Sequence, residues 1–411
     1  MNRLDKLFKL HFSNTLMKNA ILLIIDGLGD LPTPKTALQM AKTPNLDNMA
    51  KKGITGLMSP FDLGVVPGSD TSHLNLFGYD PVISYPGRGP LEALGVGLEL
   101  KKGDVAFRAN FATLKNGKIV DRRAGRIDTE EAKKLEKLVN MEIEDVQVIF
   151  KSSVEHRGAL VLRGPGLSPK VTGTDKHIIG NEPHCGALEA SAEKTARILN
   201  VFTKNVYERL SKHPVNKKRK LPANVVLARS AGVAKEVPSL RGRYGISSAC
   251  IAGGALYKGC AKYVGMDVIE VKGATGTAKT NLKAKADAAV NGLKKYDMVV
   301  VHVKACDSFG HDGKMKEKAK MLERIDKELI PILAKSGAYI VITGDHSTPC
   351  SRQQHSGHEV PILVYGKDER ADEVNKFDEI SCMRGGLGHI KGSDVIHIII
   401  NLIEKAKKYG S

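Results

Sequence analysis

No stretch of about eighteen or more uncharged apolar residues occurs in the 411-residue chain, which excludes a bilayer-spanning helix. No CxxC pairing occurs either. The six cysteines, at 185, 250, 260, 306, 350 and 382, are too sparse for a disulfide framework and suit free thiols in a reducing cytoplasm. Tryptophan is absent while Lys and Glu are plentiful, a composition compatible with heat adaptation. Internal repeats, heptads and low-complexity tracts are missing. So is a secretory signal: residues 1–16 are basic and partly apolar but lack an uninterrupted apolar stretch and a small-residue cleavage site. They read as a dispensable extension ahead of a second methionine, Met17.

The formal charge of +18 first suggests nucleic acid as a partner. Yet the basic residues are spread along the chain, Lys217–Lys220 is the only tight cluster, and no zinc-finger or RNP signature accompanies it. A Lys-rich surface around a site for a small anionic substrate accounts for the charge better. No nucleic-acid or membrane partner is expected, and the sequence does not specify an oligomeric state.

A length of 411 residues with 42% hydrophobic content favours two domains. Short, nearly continuous apolar runs at 20–25, 298–303 and 338–342 predict strands buried on both faces of a mainly parallel sheet. A fourth run, 360–365, carries Pro361, which points to an edge or strand-start position. Residues 314–334 carry an apolar stripe spaced by three and four, the pattern of a helix lying on that sheet.

The middle of the chain differs. Residues 104–123 predict a hairpin turning at Asn116–Gly117. A helix over 128–140 follows, with Asp128 and Glu131 in capping-box spacing, then a strand pair around 146–163. The expected fold is thus α/β: a core in two parts, residues 17–91 and 239–411, with helices on both faces of its sheet, interrupted by a smaller α+β insert at 92–238.

Three of the apolar strands run into an aspartate within four positions: Asp26, Asp307 and Asp345. Carboxyl ends of parallel strands line one edge, so distant segments deliver carboxylates to one place. Histidines accompany them at 311, 346, 355 and 358. A single Asp or His of this kind is usually a cap or a packed surface residue; the set together points to metal ligation. Mixed carboxylate and imidazole donors suit Mn²⁺, Zn²⁺ or Mg²⁺, and two such ions clamp a displacement at phosphorus. Cys306 and Cys350 lie close by in sequence but read as small packing residues.

Ser69 follows a strand-like stretch and a Pro-Gly turn, with a helix expected beyond it. Alone it reads as an N-cap. Beside metal ions it becomes a nucleophile, because coordination lowers the pKa of its hydroxyl.

In order and spacing, DGLGD (26–30), PGSDTSHLN (67–75), DSFGHDG (307–313), GDHS (344–347) and HSGHEVP (355–361) resemble the alkaline phosphatase superfamily. More narrowly, the chain from Met17 onward resembles the archaeal-type cofactor-independent phosphoglycerate mutases, with FRANFAT (107–113), DRRAGR (121–126) and VEHR (154–157) included in the match.

The resemblance implies an alkaline-phosphatase-like core and an isomerase that interconverts 3-phosphoglycerate and 2-phosphoglycerate in glycolysis and gluconeogenesis. It implies two divalent ions, Mn²⁺ or Mg²⁺ with Co²⁺ or Zn²⁺ as substitutes, and no 2,3-bisphosphoglycerate. Asp26, Ser69, Asp345 and His346 would surround one ion, and Asp307, His311 and His355 the other. His355 is chosen over His358 by its distance to the Val-Pro pair. Ser69 would carry the phosphoryl group as phosphoserine while glycerate turns.

Holding glycerate falls to the insert, where Arg122, Arg123, Arg126, His156 and Arg157 are the expected clamps, since guanidinium binds carboxylate and phosphate in planar forks. Lys258 resembles a family lysine that contacts the phosphoryl group. The competing readings are a metal-dependent phosphatase or another phosphomutase on the same core, and a basic nucleic-acid-binding or structural protein that retains a decayed phosphatase fold.

Overall fold

A computed structural model describes residues 18–233, 235–408 and 410. The expected extension, 1–16, lies outside the described residues. Their strands are β1 (Ala20–Ile25), β2 (Ile54–Ser59), β3 (Val105–Lys115), β4 (Lys118–Asp121), β5 (Met141–Ile143), β6 (Val146–Ser152), β7 (Arg157–Arg163), β8 (Val225–Val233), β9 (Ser248–Ile251), β10 (Asp267–Val268), β11 (Met298–Val303), β12 (Tyr339–Thr343), β13 (Val360–Tyr365) and β14 (Gly388–Lys391). Two compact units contain them. One holds the residues up to Tyr79, Pro238–Gly253 and those from Gly265 on; the other holds Asp80–Val237 and Gly254–Val264.

The first unit is built on an eight-stranded sheet in the order β10-β9-β11-β1-β12-β13-β2-β14. From β10 to β12 all neighbours are parallel, as are β2 and β14. Only β13 runs against both of its neighbours. The sheet is therefore mainly parallel, and β1, β11 and β12 are buried at every position.

Both faces of these strands are covered, so His302 and Thr343 are the exceptions in runs that are otherwise apolar. Ile21, Leu23, Ile25, Val299, Val301, Ile340 and Ile342 share one core with Leu282 and Ala286 of the Leu282–Gly292 helix and Leu322 and Ile325 of the Met315–Glu328 helix. The Asp394–Leu402 helix packs against β12 and β14. Each such side chain contributes roughly 1.5–3 kcal/mol by leaving water. The stripe read over 314–334 is divided in two, because a second short helix, Ile330–Ala334, begins there with Pro331 in its first turn. Pro361 sits at the second position of β13, inside the sheet opposite Leu57, so it marks a strand start and not an edge.

The second unit carries β4-β3-β7-β6-β5, with β8 added along the other side of β3. All of these pairs are antiparallel. Asn116 and Gly117 adopt φ of 50° and 73°, the left-handed pair that a tight hairpin needs. Asp128 caps the Thr129–Val139 helix by accepting from the Glu130 amide at 2.8 Å. The expected capping box does not form: the Glu131 carboxylate pairs with Arg219 at 2.6 Å instead.

The insert read from sequence began at 92, whereas this unit also takes in the Arg88–Gly95 helix and the later Ala255–Tyr263 helix. Two glycines bring those helices together. A Cβ on Gly95 would collide with the Ala255 carbonyl, and one on Gly259 with that of Leu91, so the two backbones touch where side chains would hold them apart. No helix among the described residues is long and apolar enough to cross a membrane.

Candidate active site

Because β11, β1 and β12 are adjacent and parallel, their carboxyl ends form one edge of the sheet. Asp26 directly follows β1, Asp345 follows β12 by two residues, and Asp307 lies in the Ala305–His311 helix just past β11. All three are buried, Asp26 and Asp345 completely. Gly27, at φ 67°, turns the chain after β1 so that its amide donates to Asp345 Oδ1 at 3.0 Å. A side chain there would strike the Asp307 Cα.

Ser69 is the first residue of the Ser69–Leu76 helix, and its Oγ lies 3.1 Å from His346 Nε2. His346 Nε2 also approaches Asp26 Oδ1 at 3.5 Å and Asp345 Oδ2 at 3.4 Å. His311 and His355 turn Nε2 towards Asp307 Oδ1, at 3.3 and 3.4 Å. Their other ring nitrogens face backbone carbonyls, Gln353 O at 3.0 Å and Pro67 O at 2.9 Å. A carbonyl only accepts, so in both rings Nδ1 bears the proton and the Nε2 lone pair is turned inward when the ring is neutral. His358 points its Nδ1 at Ser356 Oγ instead and joins neither group.

The constellation is electrostatically tight. Burial pushes the Asp345 carboxyl well above the usual carboxylate range, and the Asp26 charge pushes the same way. Burial also opposes ionisation of Asp26 and Asp307, but His311 and His355 beside Asp307, and Lys304 and His302 beside Asp26, outweigh it, and both stay below the usual range. The Lys304 ammonium is the common cause: it donates to Asp26 Oδ2 at 3.2 Å and to Asp307 Oδ2 at 2.8 Å. Burial brings His346 and His302 down to about 3, so both imidazoles are neutral.

The donor set fits divalent ions. Asp307, His311 and His355 bring one ligand atom each within 4.8 Å of one another, and so do Asp26, Asp307 and His346. Asp345 Oδ2 is buried with no hydrogen-bond partner among the described residues, a costly state that a cation would relieve. The cysteines contribute nothing to this set. All six are free and buried, and burial pushes the Cys306 and Cys350 thiols up to about 12.

A second cluster lies wholly within the second unit. A cavity of about 290 Å³ is lined by Arg108, Asn110, Arg122, Arg123, Arg126, His156, Arg157, His177 and Arg229. Arg122 is already engaged: it forks onto Asp175 at 2.7 and 2.9 Å, and Arg229 reaches the same carboxylate at 3.3 Å. Arg123, Arg126 and Arg157 are exposed and have no carboxylate partner among the described residues. His156 is buried, and its Nδ1 lacks a hydrogen-bond partner among those residues. Burial, then the charges of Arg157, Arg123 and Arg126, take its ring down to about 4. Such a pocket attracts anions. Lys258, half-buried in the Ala255–Tyr263 helix, does not line it.

The seven residues read as metal ligands therefore meet at one sheet edge, and five of the six substrate residues line one cavity. Sequence reading missed Arg108, Asn110, His177 and Arg229 in the cavity, and Lys304, His302 and Thr348 at the sheet edge. One signal was available. Arg108 and Asn110 alternate with buried Phe107, Ala109 and Phe111 in β3, so they share its other face. Lys304 and His302 carry no comparable mark.

Named relatives and one named solved structure agree on the family. The model for "2,3-bisphosphoglycerate-independent phosphoglycerate mutase" matches residues 50–216. A protein of that description from Methanocaldococcus jannaschii is 49% identical over 405 residues, covering 95% of this chain and 98% of the relative. One from Thermoplasma volcanium is 45% identical, covering 96% and 99%. The solved structure of a Pyrococcus horikoshii protein matches with a TM-score of 0.83 at 39% identity, covering 97% of this chain and all of that one. A cofactor-independent phosphoglycerate mutase from Thermoplasma acidophilum matches with a TM-score of 0.69 at 37% identity, covering 94% and 100%. The chain belongs to the family of 2,3-bisphosphoglycerate-independent phosphoglycerate mutases.

Proposed function

We propose that this isomerase interconverts 3-phosphoglycerate and 2-phosphoglycerate by passing the phosphoryl group through Ser69. The observation that carries this reading is the setting of Ser69 Oγ, 3.1 Å from His346 Nε2 at the start of an eight-residue helix. The free amides of that helix start favour the negative charge of a phosphoryl group.

Asp26, Ser69, Asp345 and His346 are proposed to hold one divalent ion, and Asp307, His311 and His355 a second, with Mn²⁺ or Mg²⁺ in both. Such ions supply charge for the phosphoryl oxygens and lower the pKa of a nearby hydroxyl.

Ser69 Oγ gives up its proton and bonds to phosphorus as the ester bond to O3 breaks. The proton ends on the O3 of glycerate, leaving phosphoserine. The 2-hydroxyl of the same glycerate then displaces Ser69 from phosphorus, and its proton returns to the serine. The buried walls around Asp26, Asp345 and His346 limit access of water, which would otherwise hydrolyse the phosphoserine. Arg123, Arg126 and Arg157, with His156 beside them, are proposed to bind the anionic groups of the substrate. Arg122 is held by Asp175, which also meets Arg229. A cytoplasmic setting belongs to the same proposal, supported by six buried free cysteines.

The test is conversion of 3-phosphoglycerate without added bisphosphoglycerate, lost on chelation and regained with Mn²⁺. Stoichiometric release of inorganic phosphate with no 2-phosphoglycerate would turn the reading to a phosphatase. Turnover by Ser69→Ala would remove the nucleophile.

A further inference from the structure

Among the three inward-facing histidines, His346 differs in what holds it. The Nδ1 atoms of His311 and His355 face carbonyls, but His346 Nδ1 faces the hydroxyl of Thr348 at 3.1 Å. A hydroxyl both donates and accepts, so the ring proton is not settled by that contact alone. The second contact of Thr348 settles it. Its Oγ1 lies 3.0 Å from Asp307 Oδ1, and an ionised carboxylate only accepts. The single hydroxyl proton therefore goes to Asp307, and Oγ1 must accept from His346 Nδ1–H. That leaves the Nε2 lone pair facing Ser69 Oγ.

The surroundings are shaped to keep this hydroxyl in place. Thr348 is fully buried. Its amide donates to Gly29 O at 3.1 Å, and the buried Lys318 ammonium joins Thr348 O at 3.1 Å to Gly29 O at 3.0 Å and Asp30 Oδ2 at 3.1 Å. Two glycines clear the space. A Cβ on Gly27 would come within 2.8 Å of Thr348 Oγ1. One on Gly310, in the helix that carries Asp307 and His311, would come within 2.8 Å of Thr348 Cγ2.

We infer that Thr348 is a positioning residue that fixes His346 as the Nδ1–H tautomer and, through the same hydroxyl, ties the His346 ligand group to the Asp307 group. The metal part of this inference rests on the ligand assignment above; the tautomer part does not. Thr348 is not one of the proposed ligands. It acts by keeping one imidazole lone pair directed at the place where an ion and Ser69 would meet. Outer partners of this kind are worth about tenfold to hundredfold in metal affinity.

The experiment uses the full chain, stripped of metal and labelled with ¹⁵N-histidine. Two-bond nitrogen–proton correlations report the tautomer of each ring, with His346 assigned by the loss of its signals in His346→Asn. The wild-type protein is expected to show His346 protonated at Nδ1; protonation at Nε2 overturns the inference whatever the variants do. Calorimetric titration of metal-free protein with Mn²⁺ follows. Thr348→Val is expected to shift the His346 tautomer and weaken one of the two binding events by about tenfold to hundredfold, and Thr348→Ser to restore both. Wild-type tautomer and affinity in Thr348→Val, or a Thr348→Ser as weak as Thr348→Val, also overturns it. None of these readings needs turnover, so a failure of the Ser69 proposal, seen as activity in Ser69→Ala, remains distinguishable.

Discussion

The two clusters solve the problem of binding anions and cations in opposite ways. At the sheet edge of the first unit, the aspartates and His346 are buried, and the donors are held by other groups, His311 and His355 nearer the surface included: Gly27 amide on Asp345, Pro67 carbonyl on His355, Gln353 carbonyl on His311. In the cavity of the second unit, three guanidiniums are exposed and free of carboxylates among the described residues, while Arg122 and Arg229 are fixed by Asp175 and Arg108 lies 3.5 Å from Glu92. One cluster is interlocked, so losing any member leaves its neighbours uncompensated. The other is a field of like charges in which members overlap. Substitutions in the first should therefore act together and those in the second by degrees.

The largest effect is expected at Ser69. Removing the oxygen that would carry the phosphoryl group in Ser69→Ala should lower kcat by about four orders of magnitude or more, measured as 2-phosphoglycerate formation. Adding Asp345→Asn to it should cost little further, because both act in one step. Independent, multiplying losses would break the picture of an interlocked site.

Metal removal comes next. Chelation should abolish turnover, and Mn²⁺ should restore it. Ion binding should also raise the melting temperature, since a ligand at a hundred times its Kd adds about 2.7 kcal/mol to stability. A melting temperature indifferent to Mn²⁺ would show that the orphaned Asp345 Oδ2 is not relieved by a cation.

The cavity should behave differently. Arg126→Ala and Arg157→Ala each remove a charged donor worth about 1.5–3 kcal/mol, or about tenfold to a hundredfold in kcat/KM, felt mainly in KM. Losses as severe as that of Ser69→Ala would erase the distinction between the two clusters.

The same contrast decides what could be read in the sequence. The sheet edge was legible because its signals are local: an apolar run, then an acid, as at Ile25–Asp26. Parallel pairing then gathers those ends without any further information. The cavity is assembled from β3, β7, β8 and the loops around Arg123 and His177, so its members meet only through antiparallel register. Arg108 shows half of this, since alternation marks its face but not what lies opposite. Arg229 shows the rest: in register it stands opposite Arg108, which one strand alone does not reveal. Glu131 failed as a capping residue for a similar reason, because Arg219, distant in sequence, takes its carboxylate. The pairing of the Arg88–Gly95 and Ala255–Tyr263 helices likewise depends on two glycines, Gly95 and Gly259, from segments far apart.

The smallest expected effect, and the finest probe of the cavity, is the titration of His156. Its ring stands at about 4 because burial and then Arg157, Arg123 and Arg126 disfavour its charged form. An ordinary histidine titrates near 6.5. Between those two values the unfolded chain binds a proton that the folded chain refuses, so stability must rise with pH across this window. The contribution of the neutral ring is complete above about 6.5 and lost as pH falls towards 4. NMR of the whole protein should find the ring titrating near 4 and moving upward when 3-phosphoglycerate is added, because the anion offsets the guanidinium charges. His156→Asn should flatten the acid side of the stability profile without changing the Mn²⁺ response. A ring titrating near 6.5 with and without substrate would mean that the guanidiniums neither press on His156 nor share an anion with it.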